Sequence, residues 1–236
     1  MRIDILFSML LFTLVGCQSE EQPKTYNLSV IIDLSDTDNY KPSAEEILSF
    51  MPNMKHSDGL TIRLRYVTET RYSDTYSFTL ETGVMGLLSN EDQRRRKRKR
   101  LLKSFRDSLS HLNSNHVALK RSEIFGVISD ELKILSNREG ERIVLIFGDL
   151  KQHSAYFSVY RKHDVHALVN NPEAITKRFA DQFTLADNLS GINMHILNTP
   201  KLEDDKVFTA MVRWYRSLLE PKGVKVNVGF VHHISK

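Results

Sequence analysis

Asp33, Ser35 and Thr37 stand at alternate positions directly after the apolar run Val30, Ile31, Ile32. A loop leaving a strand can turn one carboxylate and two hydroxyls at this spacing toward one point, while Leu34 and Asp36 face away. Hard oxygen donors of this kind suit Mg2+ or Mn2+, with water filling the rest of an octahedral shell. A second aspartate, Asp149, follows another wholly apolar run, residues 143–147, in the segment IVLIFGDL. Zinc and copper are disfavoured, because Cys17 is the single cysteine and the histidines are scattered. The same two aspartates could instead cap neighbouring helices or hold loops by hydrogen bonds.

The elements that must position these groups are legible from periodicity. Continuous β-branched or apolar runs at 30–32 and 143–147 read as strands buried on both faces. In an open α/β sheet, ligands bind in the crevice beyond the carboxyl ends of such strands, which is where both aspartates fall. Ser43 with Glu46 forms a capping box ahead of Ile47, Leu48 and Met51. Leu60, Ile62, Leu64 and Tyr66 alternate with polar residues, as in a half-buried strand near an edge. A turn near residues 72–74 leads to Tyr76, Phe78 and Leu80; so short a connection makes the pair an antiparallel hairpin.

Beyond the hairpin, Leu101, Leu102, Phe105, Leu109 and Leu112 predict one helix, and Phe125, Ile128, Leu132 and Leu135 a second from about residue 121. Pro172 starts a further helix carrying Ile175, Phe179 and Phe183. Strands at 191–197 and 224–231 flank a helix at 204–219. Strands alternating with helices imply an α/β fold: a doubly wound, mostly parallel six-stranded sheet with one antiparallel edge strand.

With this strand order, Asp33, Ser35, Thr37 and Asp149 resemble the metal-ion-dependent adhesion site of the von Willebrand factor A (vWA) domain. That family carries D-x-S-x-S/T after its first strand, a threonine in a loop following the third, and an aspartate after the fourth. The resemblance covers residues 28 to about 231. It implies Thr82 as the loop threonine, with Thr79 as substitute, and Mg2+ or Mn2+ as the ion. It further implies a protein partner whose acidic group completes the ion's shell, and a movement of the last helix can accompany this. The chain departs from the family pattern in Gly148-Asp149-Leu150 and in a first loop lengthened over residues 36–42.

Other readings stay open at this level. One is an ion-free structural scaffold of the same fold. Another is a haloacid-dehalogenase-like phosphotransferase, whose D-x-D-x-T would place a second acid at Ser35; the serine removes the general acid or base and disfavours catalysis. His153, His163 and His166 follow Asp149 in one long connection, with spacing too weak to define a metal site.

Residues 1–16 read as a targeting segment: Arg2, then an apolar stretch at 5–15 too short to span a bilayer. Leu14-Val15-Gly16-Cys17 resembles the bacterial lipobox, which implies lipidation of Cys17 and a lipid-anchored protein of the cell envelope. Residues 17–26 form the acylated cysteine and a polar tether, and 27–236 the vWA-like domain. The acidic pair Glu20-Glu21 resembles a lipoprotein export signal to the outer-membrane surface, and reads equally as a solvated linker. The 236 residues are 41% hydrophobic and 26% charged, as for one globular domain, and the net charge is only +4. That excess is local: Arg94, Arg95, Arg96, Lys97, Arg98, Lys99 and Arg100 are seven consecutive cations. Contact with anionic lipid fits a tethered protein. A nucleic-acid role is disfavoured, since no aromatic residues interleave with the cations.

Overall fold

β1 (Thr25–Ile32) runs through the centre of the sheet, and every residue from Tyr26 onward is buried. Ordered strand thus begins two residues ahead of the boundary expected at 27. The computed structural model describes residues 22–35, 40–51, 54–67, 75–83, 91–114, 121–199 and 205–230. With β2 (Gly59–Tyr66), β3 (Thr75–Leu80), β4 (Glu141–Phe147), β5 (Ile192–Asn198) and β6 (Lys225–Phe230), it forms one sheet in the order β3-β2-β1-β4-β5-β6. Only the β2–β3 pair is antiparallel. The class expected from the strand and helix order is the one found.

Two helices, α1 (Ala44–Ser49) and α2 (Glu91–Ser114), cover one face, where Val30, Ile32 and Phe147 pack with Ile47, Phe105 and Leu109. The other face carries α3 (Ile124–Ser136), α4 (Lys162–Asn170), α5 (Pro172–Ala180) and α6 (Asp205–Leu219). Ile31, Val144 and Ile146 meet Ile128, Phe179 and Trp214 there. Ser43 caps α1 by accepting the Glu46 N–H at 3.1 Å, but the reciprocal half of the capping box is absent. Instead the Glu46 carboxylate accepts the Tyr40 hydroxyl at 2.5 Å. Pro172 and the Asn171 cap start α5 as expected.

Two features differ from the sequence reading. The connection after Asp149 contains α4, whose short span buries only Asp164 and Leu168 and so shows little apolar periodicity. Asp164 anchors its first turn, accepting from the Ser158 N–H and from Arg161 and Arg178. In β2, Arg63 and Arg65 do not alternate into solvent; they lie beneath α3. Glu131 of that helix accepts two hydrogen bonds from Arg63, at 2.9 and 3.0 Å, and one from the Ser29 hydroxyl at 2.7 Å. Arg65 adds a contact at 3.4 Å.

Burial alone would raise the Glu131 pKa, but these donors and the two positive charges outweigh it and bring it below the ordinary 4.5. Its stabilising contribution is therefore present above that value and lost as pH falls through the lower folded-state value. Glu131→Gln leaves Arg63 without its counter-charge and Arg65 facing Asp130, 3.6 Å away, so a loss of about 3–5 kcal/mol is expected in urea unfolding near neutral pH. An unchanged midpoint would show that the network contributes nothing.

Candidate metal centre at the carboxyl edge

From β1 the chain crosses one face to β2, and from its neighbour β4 it crosses the opposite face to β5. The gap beyond their carboxyl ends is thus the topological switch point, where open α/β sheets bind ligands. Asp33 follows β1 directly, and its N–H donates to the Phe147 carbonyl at 2.8 Å, extending the β1–β4 ladder to the rim. A Cβ on Gly148 would lie 2.6 Å from Asp33 Cβ, so only glycine permits this approach of the two loops. Both aspartates are buried, Asp33 completely and Asp149 to 5% exposure.

The two aspartates share one local geometry. Oδ1 of Asp33 accepts the Ser35 N–H at 2.9 Å, and Oδ1 of Asp149 accepts the Lys151 N–H at 3.0 Å. These side-chain turns fix the carboxylates against their own loops. Between Asp149 and Lys151, Leu150 is fully buried at φ +59°, a left-handed conformation that costs a branched residue energy and turns the chain back on itself. Lys151 Nζ then stands 3.1 Å from Asp149 Oδ2, without regular hydrogen-bond geometry.

Ser122 is a hydroxyl at this cluster that sequence reasoning missed. Its backbone exchanges hydrogen bonds with His153, at 3.2 and 2.9 Å, so the loop before α3 is sewn to the loop after β4. Gln152 reinforces the seam: its amide donates to Glu123 at 2.6 Å and accepts the Phe125 N–H at 3.1 Å. The buried Ser122 hydroxyl sits beside the Asp33 carboxylate, close enough to favour its ionised form but outside regular hydrogen-bond geometry. From α6, the buried Tyr215 is held well above its ordinary pKa by burial and by the charges of Glu123 and Asp33. The one sequence signal for Ser122 was a hydroxyl just ahead of a helix start.

Thr82 is not part of this cluster, which corrects the expectation drawn from the family pattern. β3 is antiparallel, so the loop after it leaves from the opposite, amino edge of the sheet. Thr82 there packs against Gly59, at the start of β2, about 23 Å of strand from Asp33. Thr79, opposite Thr61, is no better placed. A hydroxyl returns to the carboxyl edge only after α2 has carried the chain back. That helix has 24 residues, about 36 Å, and ends where Asn113 bonds Pro42 and Lys41. Thr37 and Cys17 lie outside the described residues.

The basic run divides by function. Arg94 spends its guanidinium on the carbonyls of His56, Ser57, Asp58 and Glu81, at 2.6–3.1 Å, pinning the start of α2 to the amino edge. It is a structural clamp rather than a surface contact. Arg98 is half-buried, whereas Arg95, Arg96, Lys97, Lys99 and Arg100 are exposed. A cleft of about 640 Å3 at the same edge touches Lys24, Phe50, Asp58 and His195, but Asp58 already accepts the Lys24 and Lys55 N–H groups. His153 bonds Ser158 at 2.7 Å, and His163 and His166 are exposed on α4. Among the described residues no three His, Cys, Asp or Glu side chains converge as a metal-binding group. The Asp33 cluster has two carboxylates, and its other donors are hydroxyls.

Two buried carboxylates, the Ser35 hydroxyl and the buried Ser122 hydroxyl form a hard-oxygen donor set that fits Mg2+ or Mn2+. No protein-family model matches the chain, and no curated protein matches it.

Burial pushes Asp33 from 3.8 up to about 6; Ser35 opposes this through its hydroxyl and N–H, Asp149 adds to it and Ser122 opposes it. A raised carboxyl pKa means that the ionised form destabilises the fold above about pH 6, a penalty that fades as pH falls toward the unfolded value. In chelator-treated buffer at about pH 8, Asp33→Asn is therefore expected to stabilise the protein by up to about 3 kcal/mol. The gain should shrink as pH is lowered through 6, as read from urea midpoints. A gain independent of pH would contradict this assignment.

Proposed function

We propose that this chain is a lipid-anchored, vWA-like domain of the bacterial envelope that binds Mg2+ or Mn2+ at its carboxyl edge. Asp33, Ser35, Ser122 and Asp149 hold the ion, with Thr37, which lies outside the described residues, as the further hydroxyl implied by the vWA pattern. The ion supplies an open coordination position and positive charge for an acidic group on a protein partner. The observation that carries this reading is the convergence of two buried carboxylates, Asp33 and Asp149, with the buried Ser122 hydroxyl beside Asp33 at the switch point. Ser35 in place of a second acid favours binding over phosphoryl transfer.

The polarity of the molecule supports an orientation. Gln22 to Lys24 lead into β1 at the amino edge, where α2 begins, while the aspartates sit about 26 Å away along the eight-residue strand. A tether through lipidated Cys17 would bring Arg95, Arg96, Lys97, Lys99 and Arg100 toward anionic headgroups and turn the metal site outward. None of these five side chains is ion-paired among the described residues. No described helix is long and apolar enough to cross a membrane. The scaffold reading keeps one supporting observation, the Lys151–Asp149 ion pair.

Calorimetric titration of the full chain with Mn2+ and Mg2+ tests the site. Saturable binding is expected, lost in Asp33→Ala and Asp149→Ala and weakened about tenfold or more in Ser122→Ala. Absence of binding by the unmodified chain and by a charge-relieved Lys151→Met form would leave the scaffold. For the basic surface, vesicles with and without anionic lipid are compared in rising salt. Neutralising the five exposed cations should abolish the salt-sensitive part of binding. Arg94→Ala should instead lower stability by about 2–3 kcal/mol. Equal binding to neutral and anionic vesicles would remove the surface role.

A further inference from the structure

We propose that Lys151 is the resident cation of the Asp33–Asp149 site, and that its ammonium and a divalent ion occupy that site in turn. The inference rests on the reading that the site takes an ion, and adds what competes with it. Lys151 Nζ lies 3.1 Å from Asp149 Oδ2, on the carboxylate oxygen that the Lys151 N–H leaves available. Both side chains are largely covered, at 15% and 6% exposure, so this ion pair is not a screened surface contact.

The backbone is shaped to place it there. Leu150, buried in the left-handed conformation, folds the chain so that residue 151 returns both its N–H and its ammonium to the carboxylate of residue 149. A branched residue holds that conformation only where the surroundings determine it, and the Leu150 side chain is fully enclosed. Two carboxylates buried side by side need positive charge, and Lys151 brings it without an ion. A lysine differs from an arginine in being a compact charge on a flexible stem, which can leave by rotating its side chain. The remaining 15% exposure leaves part of the side chain at solvent.

A divalent ion bound by Asp149 and the Lys151 ammonium would repel one another across a few ångströms of low-dielectric interior, so the two states exclude each other. Ion binding then expels the ammonium to the rim. The unmodified protein should bind the ion weakly for a site of this donor set, and should stay folded without it.

Lys151→Met, which keeps most of the stem, tests this by titration with Mn2+ and by thermal melting in chelator. Binding at least about tenfold tighter than in the unmodified chain is expected. A melting point lowered in chelator and restored by Mn2+ is expected with it, and adding Asp149→Asn should abolish the gain. Equal Mn2+ affinity in both proteins would overturn the exchange while leaving the metal site standing. No Mn2+ binding by either would overturn both. A measurement on the unmodified chain removes dependence on how the variant folds: acylation of Lys151 by an amine reagent, followed by peptide mass. Saturating Mn2+ should speed its modification several-fold, and an unchanged rate would also overturn the exchange.

Discussion

Two carboxylates buried side by side repel one another, and the carboxyl edge of this sheet is arranged around that repulsion. Asp33 and Asp149 are brought together by the parallel pairing of β1 with β4, and Gly148 lets their loops touch. Burial and the neighbouring charge favour a proton on Asp33; the Ser35 hydroxyl and amide, with Ser122, favour the ionised form. Lys151 meets the second carboxylate. Proton, lysine and the proposed divalent ion are three answers to one electrostatic demand. Which answer holds under given conditions is the chemistry of the site.

The demand can be met there because hydrogen bonds tie the segments that carry Ser122 and Asp149 to each other. The Ser122–His153 bridge and the Gln152 amide lock the third donor to the second, and the Asp164 cluster holds the end of the same connection. Beneath them, the Arg63–Glu131–Ser29 network ties β1 and β2 to α3, the helix that begins just after Ser122. The same sheet separates the two ends of the molecule. Its amino edge receives the N-terminal segment and the Arg94 clamp, and its carboxyl edge holds the paired aspartates. A parallel sheet makes such polarity unavoidable, since every central strand runs from one edge to the other.

Much of the fold was legible because burial on both faces leaves little choice of residue. The runs around Val30 and Ile146 read as central strands for that reason, and the short turn before Tyr76 required a hairpin. α4 was illegible because so little of it is buried that no apolar stripe marks it. Arg63 and Arg65 were misread for a related reason: periodicity separates polar from apolar, not solvent from a buried counter-charge. Thr82 was chosen by distance along the chain from β3. The antiparallel direction of that strand sends its loop to the opposite edge, whereas Ser122, the hydroxyl beside Asp33, follows α2 in the chain.

By itself, then, the sequence determined the class of fold, the two strands that end in aspartate and the chemistry their oxygens favour. These are local properties, written in residue type and period. The tertiary structure decided which groups share a crevice: it replaced Thr82 with Ser122, turned Arg94 from a surface cation into a clamp and set Lys151 against Asp149. Those outcomes depend on strand direction, crossover and a single left-handed turn at Leu150, which relate residues far apart or against local preference. Sequence spacing carries no trace of them, because the through-space distance between donors is set by the sheet and not by the chain.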